Sequence, residues 1–344
     1  MTNRKGAEFF MRAWQASVFG VDSLEFVERP TATPGAGEVL VGVRAVSLNR
    51  RDLMVVKGLY NPKLQLPRIP CSDAAGEVVA VGAGVKAWKQ GDRAMGIFMQ
   101  NWLDGPLSKT KARGALGGDI DGVLADYVVF KEDGLVAIPD HLSYQEAATL
   151  PCAAVTAWNA LSTGEIQPGS TVLIQGTGGV SIFALQFARL KGARVLGISS
   201  SYEKLRRARA MGLDVGLNYR DDPDWDRWAQ DQTGGEGVDL VVEVGGLGTL
   251  ERSLKAVRTG GIIAQIGVLA PGAESISLPL VLHKCLRIHG IYVGSRKDFQ
   301  EMNRAIAFSE LRPVGEEFDW SQAREVLQRM EEGSHFGKLV LTVN

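Results

Sequence analysis

Two glycines separated by one residue, Gly176 and Gly178, follow the apolar run Thr171 to Ile174 and precede a stretch with helical periodicity. Glycines at such a turn let the backbone approach a pyrophosphate, whose charge then lies against the free N–H groups of the helix N-terminus. Ser181 stands where the dinucleotide fingerprint usually has a third glycine, so the match is incomplete. The spacing predicts cofactor binding; the alternative is a βαβ unit whose glycines only shape a tight turn.

Three serines, Ser199, Ser200 and Ser201, end the second strand of this unit, and Lys204 follows one turn later. An NAD-binding unit carries an acidic residue in this region, roughly 20 residues after the first glycine. A carboxylate would repel a 2′-phosphate, whereas hydroxyls and an ammonium can hold one. The serines therefore favour NADPH over NADH. The alternative is that Ser201 only caps a helix that begins near Glu203.

The composition is that of an ordinary globular protein of 344 residues, which predicts about two domains. A formal net charge of −1 gives no electrostatic argument for a nucleic-acid or membrane partner. No apolar run reaches the ~20 residues of a membrane span. Three scattered cysteines are too few for a disulfide framework and indicate a cytoplasmic protein. We therefore expect the partner to be a small-molecule substrate.

Many short strand signals with intervening turns fill the first 130 residues and predict a compact barrel. Beyond the glycine turn, strand signals alternate with helical stretches, at Gly216 to Tyr219, Val238 to Val244, Ile262 to Val268 and Arg287 to Val293. That alternation predicts about six parallel strands in a doubly wound sheet. The last strand signal, Lys338 to Val343, is expected to return to the first domain, which would make the nucleotide domain an insertion.

Several short motifs, taken together, match one known family. They are Gly91-Asp-Arg93, Leu150-Pro-Cys-Ala-Ala-Val-Thr-Ala157, Gly176-Thr-Gly-Gly-Val180, Gly260-Gly261 with Ile266-Gly267, and Gly337-Lys338. With these motifs the chain resembles the medium-chain dehydrogenase/reductase superfamily along nearly its whole length. The resemblance implies an α/β protein with a GroES-like β-barrel catalytic domain over residues 1–153 and 296–344. An inserted Rossmann domain would occupy residues 154–295, with the active site in the cleft between the two.

The chain differs from the zinc alcohol dehydrogenases of this superfamily at the positions of the zinc ligands. Where those enzymes have a cysteine, a histidine and a second cysteine, this sequence has Asn49, Ser72 and Cys152. A catalytic zinc needs three protein ligands of the Cys, His or carboxylate type. The resemblance is therefore closer to the zinc-free, quinone-oxidoreductase-like branch, and no bound metal is expected.

The candidate catalytic residues follow from family position: Asn49, Arg51, Asp52, Ser72 and Asp73. Without a metal, some of these groups must polarise the substrate and supply a proton, because charge develops on oxygen as hydride moves. Arg51 could stabilise an oxyanion, and Asn49 could orient a carbonyl. The alternatives are that Asp52 caps the helix it opens and that Arg51 forms a salt bridge with Asp73.

The candidate cofactor-binding residues combine the glycine turn, the serine cluster and further family positions. They are Thr156, Gly176, Thr177, Gly178, Gly179, Val180, Ser199, Ser200, Ser201, Lys204, Tyr219, Gly245, Gly267, Val268, Val293, Gly294, Ser295 and Lys338. The resemblance places Thr156 and the Val293 backbone beside the nicotinamide, and Tyr219 beside the adenosine phosphate.

The resemblance implies a zinc-independent NAD(P)H oxidoreductase that reduces a quinone or an α,β-unsaturated ketone. The alternatives are an alcohol dehydrogenase or ketone reductase of the same superfamily, and a cofactor-binding structural protein without turnover. The sixth strand, Leu286 to Gly294, should lie at a sheet edge with unpaired backbone groups. We expect it to pair with a second copy in a homodimer, and Ile291→Pro to weaken that dimer.

Overall fold

Apolar strands and amphipathic helices make up most of the chain in the computed structural model, which describes residues 9–269 and 276–344. The strands are β1 (Phe10–Ala16), β2 (Leu24–Pro30), β3 (Glu38–Leu48), β4 (Asp73–Val81), β5 (Arg93–Gly96), β6 (Tyr127–Lys131), β7 (Leu135–Ala137), β8 (Thr171–Gln175), β9 (Arg194–Ser199), β10 (Val215–Asn218), β11 (Val238–Glu243), β12 (Val257–Gln265), β13 (Arg287–Gly290), β14 (Gly315–Asp319) and β15 (Lys338–Thr342). The helices are α1 (Arg50–Val56), α2 (Tyr144–Ala148), α3 (Val155–Thr163), α4 (Gly179–Leu190), α5 (Tyr202–Ala210), α6 (Trp225–Asp231), α7 (Leu247–Ala256), α8 (Leu278–His283), α9 (Arg296–Ser309) and α10 (Ala323–Glu332).

The first compact unit comprises Met1–Cys152 and Ser295–Asn344. Its larger sheet has the order β14-β15-β3-β4-β5-β7, with β6 also paired to β3. The last strand, β15, runs antiparallel to β3, with Leu339 opposite Leu48. The predicted return of this strand to the first domain is therefore confirmed. Apolar side chains of β3, β4 and β15 fill the core, which is that of a GroES-like fold.

The second unit, Ala153–Gly294, is a six-stranded sheet with the order β10-β9-β8-β11-β12-β13. Every neighbouring pair is parallel. In the order of its own strands this is 3-2-1-4-5-6, so the predicted doubly wound Rossmann sheet is confirmed. Fully buried residues such as Leu173, Leu196 and Val241 form its core because both faces of a parallel sheet are covered.

Two strands end earlier than predicted, and both ends bear on the candidate site. Strand β12 stops at Gln265 because the N–H groups of Ile266 and Gly267 both donate to the carbonyl of Glu243. Strand β13 stops at Gly290, three residues before Val293. Val268 and Val293 therefore lie in loops at the carboxyl edge of the sheet and not within strands.

The link between α2 and α3 also differs from the predicted pair of helices. Ser143 and Glu146 form the predicted capping box at the start of α2. Residues Leu150–Ala154 then form a π-helical turn in place of the start of a helix, consistent with the proline at 151. Within the two described stretches, no helix is both long and apolar enough to cross a membrane.

Candidate active site

The predicted glycine turn joins β8 to α4 in the second unit. Gly176 has a φ of 69°, a conformation that side chains other than glycine rarely adopt, and Gly178 is the N-cap of α4. A Cβ atom built on either glycine would meet no heavy atom within 4 Å. The space beside both glycines is therefore open, and with the first N–H groups of α4 the turn forms a cradle that can hold a phosphate.

Ser181 explains why the missing third glycine does not spoil this turn. The side chain is 2% exposed, and its hydroxyl donates to the carbonyl of Gln175 at 2.6 Å. The serine therefore ties the first turn of α4 to the end of β8. Close packing of helix on strand, which a third glycine usually permits, is achieved here with an added hydrogen bond.

A cavity of about 410 Å³ adjoins the glycine turn within the second unit. Its walls include Gly176, Ile198, Tyr219, Trp225 and Gly245. It combines an apolar floor with the backbone of two glycine loops, which suits a flat, largely apolar ring such as adenine. The cavity therefore brings together predicted cofactor residues from three loops at the carboxyl edge of the sheet.

The serine cluster after β9 is more engaged than the sequence indicates. Ser199 is 2% exposed, and its hydroxyl accepts from the N–H of Ser201 at 3.4 Å. The hydroxyl of Ser201 in turn accepts from the N–H of Lys204 at 3.3 Å, so Ser201 is the N-cap of α5. The structure thus shows the capping arrangement that was the alternative for Ser201. Ser200 lies between these two serines and is half-buried.

A buried carboxylate, that of Glu243, organises the loop opposite the glycine turn. It ends β11, is 0% exposed, and accepts hydrogen bonds from five donors. These are the side chains of Gln175, Thr249 and Ser253 and the backbone N–H groups of Gly245 and Gly246. The carboxylate therefore occupies the N-terminal end of α7 from inside the protein.

Another predicted cofactor residue, Gly267, has a structural role in this loop region. A Cβ atom on Gly267 would lie 1.9 Å from the carbonyl oxygen of Val244, so only glycine fits there. Val268 is 73% exposed, whereas Thr156 in α3 is 3% exposed. Gly267 therefore permits the close approach of two loops, which is a packing role compatible with a site beside it.

The chain after β13 contains a strained residue. Val293 has a φ of 60°, an uncommon value for a β-branched side chain. Its carbonyl accepts from Asn159 Nδ2 at 2.8 Å. Ser295 belongs to the first unit, where it caps α9 and exchanges hydrogen bonds with Asp298. Because the Ser295 hydroxyl and N–H are both engaged in this capping box, the prediction that Ser295 binds the cofactor is not supported.

The first unit holds the second group of candidate residues as one buried cluster. Lys338 Nζ donates to Asn49 Oδ1 at 2.5 Å and to the carbonyl of Leu48 at 2.6 Å. Asn49 Nδ2 lies 3.5 Å from Ser72 Oγ, which donates to Asp73 Oδ1 at 2.6 Å. The structure therefore brings Asn49, Ser72 and Asp73 together as predicted. It also places Lys338, which is 3% exposed and was predicted to bind the cofactor, in this cluster with its ammonium bound to Asn49 and Leu48.

Burial dominates the ionisation of this cluster. It raises the pKa of Asp73, although the Lys338 ammonium and the Ser72 hydroxyl act in the opposite direction. Burial, followed by the Asp73 carboxylate, also raises the pKa of the Cys152 thiol. The N–H of Cys152 donates to Asp73 Oδ2 at 3.1 Å. A thiol with a raised pKa is a poor nucleophile and a poor metal ligand, because both roles need the thiolate.

Arg51 and Asp52 lie beside this cluster but have other partners. Asp52 Oδ2 accepts from the N–H of Asn49 at 2.8 Å, so the capping alternative is confirmed. Burial raises the pKa of Asp52 to about 6, and the nearby Arg51 guanidinium acts in the opposite direction. Arg51 Nη1 is 3.7 Å from Asp52 Oδ1, so its ion pair is with Asp52 and not with Asp73, which was the alternative given for Arg51.

The guanidinium of Arg51 anchors the long irregular loop that precedes β6. It donates to the carbonyl of Leu116 at 2.5 Å and lies 5.3 Å and 5.0 Å from the ring centroids of Tyr60 and Phe98. A Cβ atom on Gly118 would come within 2.2 Å of Arg51 Nη2. These contacts explain the side chain by loop packing and cation–π attraction, and they leave the oxyanion role predicted for it without support.

The donors at the zinc positions of the superfamily do not fit a zinc ion. Asn49 presents an amide, Ser72 a hydroxyl already bonded to Asp73, and Cys152 a thiol whose pKa burial raises. Both oxygens of Asp73 are engaged. Among residues 9–269 and 276–344, no group of three or more His, Cys, Asp and Glu side chains could hold a metal ion.

Three residues of the site were missed at the sequence level. Glu243 had a signal, since an acidic residue ends an otherwise apolar strand and two glycines follow shortly after. Gln175 had a weaker one, as the last residue before the glycine turn. Asn159 had none, because its partner, Val293, lies 134 residues away in the sequence.

A doubly wound sheet with an open glycine turn and a second unit of GroES-like fold together define an NAD(P)-dependent oxidoreductase. Comparisons with known proteins identify the family. The alcohol dehydrogenase GroES-like domain matches residues 35–140, and the zinc-binding dehydrogenase family matches residues 179–307. The chain belongs to the medium-chain dehydrogenase/reductase superfamily.

Similar proteins span nearly the whole chain. A zinc-type alcohol dehydrogenase-like protein of Schizosaccharomyces pombe is 42% identical, over 90% of this chain and 91% of that protein. The crystal structure of a putative alcohol dehydrogenase from Sinorhizobium meliloti has a TM-score of 0.90 at 38% identity, covering 97% of this chain and 99% of that one. An acryloyl-coenzyme A reductase of Metallosphaera sedula is 29% identical, over 82% of this chain and 84% of that protein.

Proposed function

We propose that this chain is a zinc-independent, NADPH-preferring reductase of small activated carbonyl compounds, namely quinones or α,β-unsaturated ketones. A bound nicotinamide cofactor supplies the hydride. The N-terminus of α4 and the glycine turn would hold its pyrophosphate, and the cavity beside Tyr219 and Trp225 would hold its adenosine. The open space in front of Gly176 and Gly178 supports this assignment.

The hydrogen-bonded cluster in the first unit carries the zinc-free part of the proposal. Lys338 fixes the amide of Asn49 by binding its Oδ1, so that Nδ2 is left as the donor end. Asn49 is 8% exposed, more than Ser72 at 0% or Lys338 at 3%. We assign Asn49 Nδ2 the task of polarising a substrate carbonyl, with Ser72 and Asp73 as its support. An amide donor suits a substrate that is already electrophilic.

The substrate class follows from that weak polarisation. A carbonyl conjugated to a double bond or a quinone ring accepts hydride without the strong Lewis acid that an unactivated ketone needs. The acryloyl-coenzyme A reductase among the relatives has a name that implies a conjugated substrate of this kind. An alcohol dehydrogenase or ketone reductase is the second candidate, and the names of the two other relatives favour it.

One panel of reactions separates these candidates. NADPH and NADH consumption would be measured with quinones, enones, aldehydes and saturated ketones, and NADP⁺ and NAD⁺ reduction with primary and secondary alcohols. Each reaction would be run before and after treatment with a chelator, with zinc measured by elemental analysis. We expect enone or quinone reduction that survives chelation, with zinc well below one ion per chain. Alcohol oxidation that is lost to chelator and restored by zinc would contradict the proposal.

A preference for NADPH and a cytoplasmic location are further parts of the proposal. Lys204 and the half-buried Ser200 are the groups that would hold a 2′-phosphate, and the absence of a carboxylate at the end of β9 supports this preference. Cys71, Cys152 and Cys285 are all free thiols, which suits a reducing compartment.

We also propose a homodimer formed through β13, which is an edge strand of its sheet. Ile288 on this strand is 39% exposed, and Leu278 and Leu282 of α8 are 68% and 73% exposed. A closed two-fold pairing would satisfy two such edges and cover these side chains. Light scattering should return twice the chain mass of 37.1 kDa. A mass of one chain at micromolar concentration would contradict the dimer.

The structure changes the variant that tests this edge. The N–H of Ile291 donates inward to the carbonyl of Gln265, so Ile291→Pro would damage the sheet itself. Because the bonding direction alternates along a strand, the N–H of Gly290 faces the open side. Gly290→Pro should therefore dissociate the dimer. Ile291→Pro should instead lower the stability of the sheet, and it serves as the control for such damage.

A further inference from the structure

The carboxyl end of β13 is turned by a residue in an unfavourable conformation. The last hydrogen bond that joins this segment to β12 is from the N–H of Ile291 to Gln265. Two residues later Val293 adopts a φ of 60° although it is β-branched. Left-handed conformations of such side chains persist only where the surroundings enforce them, and they cluster at ligand sites.

Asn159 enforces this conformation from the helix next to it. Its Nδ2 donates to the carbonyl of Val293 at 2.8 Å. One helical turn further along α3, the hydroxyl of Thr163 donates to Asn159 Oδ1 at 3.3 Å, which fixes which end of the amide faces Val293. Val293 is 5% exposed, so water cannot readily replace the amide. All three residues belong to the second unit.

The place of Val293 in the sheet indicates which part of a cofactor it serves. A dinucleotide lies across the carboxyl edge of a doubly wound sheet, with its pyrophosphate at the first glycine turn. The cavity beside Tyr219, which we assign to the adenosine half, is lined by residues at the carboxyl ends of β9, β10 and β11. Strand β13 is the edge strand opposite β10 and lies two strands beyond β11, so Val293 belongs to the nicotinamide half. The carbonyl of Val293 is bound by Asn159, whereas its N–H has no acceptor among residues 9–269 and 276–344.

We infer that Asn159 is a positioning residue for the nicotinamide half of the cofactor. It acts through Val293: its amide holds the carbonyl of that residue, and the left-handed backbone then presents the free N–H to the carboxamide of the ligand. Asn159 itself does not touch the reacting atoms. This inference rests on the proposed function, since it requires that the second unit binds a nicotinamide dinucleotide.

Binding titrations with whole cofactors and with fragments that lack nicotinamide test this role. NADPH would be compared with adenosine 2′,5′-bisphosphate, and NADH with ADP-ribose, on the wild-type protein and on Asn159→Leu. The leucine has the same branching at Cγ as asparagine but cannot donate to Val293. We expect the affinity for the whole cofactor to fall about tenfold and the affinity for its fragment to stay within about twofold.

A second variant separates positioning from folding. Glycine adopts a φ of 60° without steric cost, so Val293→Gly in the Asn159→Leu background should restore part of the cofactor affinity. Asn159→Asp, which places an oxygen against the Val293 carbonyl, should weaken whole-cofactor binding at least as much as leucine does. Circular dichroism and the thermal midpoint would identify any variant that fails to fold. If a single variant fails to fold, the double variant is compared with the wild-type protein in its place.

The possible outcomes are distinct. Equal weakening of cofactor and fragment would show that Asn159 only supports the fold, and unchanged binding of both would show that it has no role; either overturns the inference alone. A wild-type protein that binds neither NADPH nor NADH would overturn the proposed function, and the inference with it.

Discussion

The N-termini of α4 and α7 both lie at the carboxyl edge of the same parallel sheet, yet only that of α7 is occupied by a side chain of the protein. In front of α4, Gly176 and Gly178 leave an open cradle. In front of α7, the carboxylate of Glu243 accepts from the N–H groups of Gly245 and Gly246 at 2.8 Å and 2.9 Å. Both helix ends attract negative charge, but the protein supplies its own charge to one and leaves the other for a ligand.

This difference teaches how a sheet with several helix N-termini can bind one dinucleotide in one register. An internal carboxylate removes α7 as a competing phosphate site and at the same time fixes the glycine loop that lines the cavity beside Tyr219. In the first unit, α1 repeats the filled arrangement, because Asp52 accepts from the N–H of Asn49 at the start of that helix. The α4 turn is the open case.

Removal of the internal charge at α7 should have the largest effect. Glu243→Leu would remove an acceptor from five donors, of which the N–H of Gly246 and the hydroxyl of Ser253 have no second acceptor among the described residues. Each buried donor left unsatisfied costs about 1–3 kcal/mol. We expect the free energy of unfolding to fall by about 4 kcal/mol or more, measured by urea denaturation. Glu243→Gln keeps the shape and one oxygen acceptor and should lose less. A loss below about 1 kcal/mol for Glu243→Leu would break the comparison.

The filled terminus of α1 predicts a dependence of stability on pH. The pKa of Asp52 is raised to about 6 by burial, so between pH 4 and 6 the folded protein binds more protons than the unfolded chain. Burial favours the protonated carboxyl of Asp52, so the free energy of unfolding is higher at low pH and falls as the pH rises through about 6. The loss is up to about 3 kcal/mol.

Asp52→Asn should remove that loss, because the amide keeps an acceptor for the N–H of Asn49 and carries no charge. The free energy of unfolding would be measured by urea denaturation from pH 4 to pH 7 for both proteins. The Asp73 carboxylate also raises the pKa of Asp52, so the difference between the curves reports Asp52 together with its interaction with Asp73. Parallel curves would contradict the assigned role of Asp52.

An engineered charge at α4 should convert the open terminus into a filled one. Gly178 is the N-cap, its φ of −77° and ψ of −179° suit any residue, and aspartate is a preferred N-cap. Gly178→Asp should keep or slightly raise the thermal midpoint while it weakens NADPH binding about thirtyfold, or about 2 kcal/mol. Gly178→Asn, uncharged and of the same size, should weaken binding less. Retained affinity in the aspartate variant would place the pyrophosphate elsewhere.

The smallest effect is expected at the end of β9, away from both helix termini. Ser199→Asp should lower the preference for NADPH over NADH about tenfold, or about 1.4 kcal/mol, because a carboxylate opposes a 2′-phosphate. Ser199→Asn controls for size at this buried position. Isothermal titrations of both cofactors would measure the ratio. A wild-type protein that binds NADH more tightly would contradict the assignment made from the serines.

Local pattern was enough to predict a compact barrel and a doubly wound sheet, and the resemblance to a known family added the GroES-like fold. The glycine turn, the six parallel strands and the edge position of β13 all followed from short apolar runs and turn residues, because these features are properties of neighbouring residues. The ends of β12 and β13 were predicted too late for a different reason. Hydrogen bonds of Ile266 and Gly267 to Glu243, and the backbone turn at Val293, are set by another segment of the chain.

Which polar groups remain available to a ligand was decided by the tertiary structure alone. The ammonium of Lys338 is bound by Leu48, 290 residues away, and the carboxylate of Glu243 by Gln175, 68 residues away. A sequence gives the type of each group and, through its spacing, the element that carries it. It does not give the partner, because burial makes a polar group bind whatever donor or acceptor the packed chain brings within about 3 Å. For this reason the sequence alone determined the open turn at Gly176 and Gly178, and only the packed chain showed that Lys338 and Ser295 are already engaged.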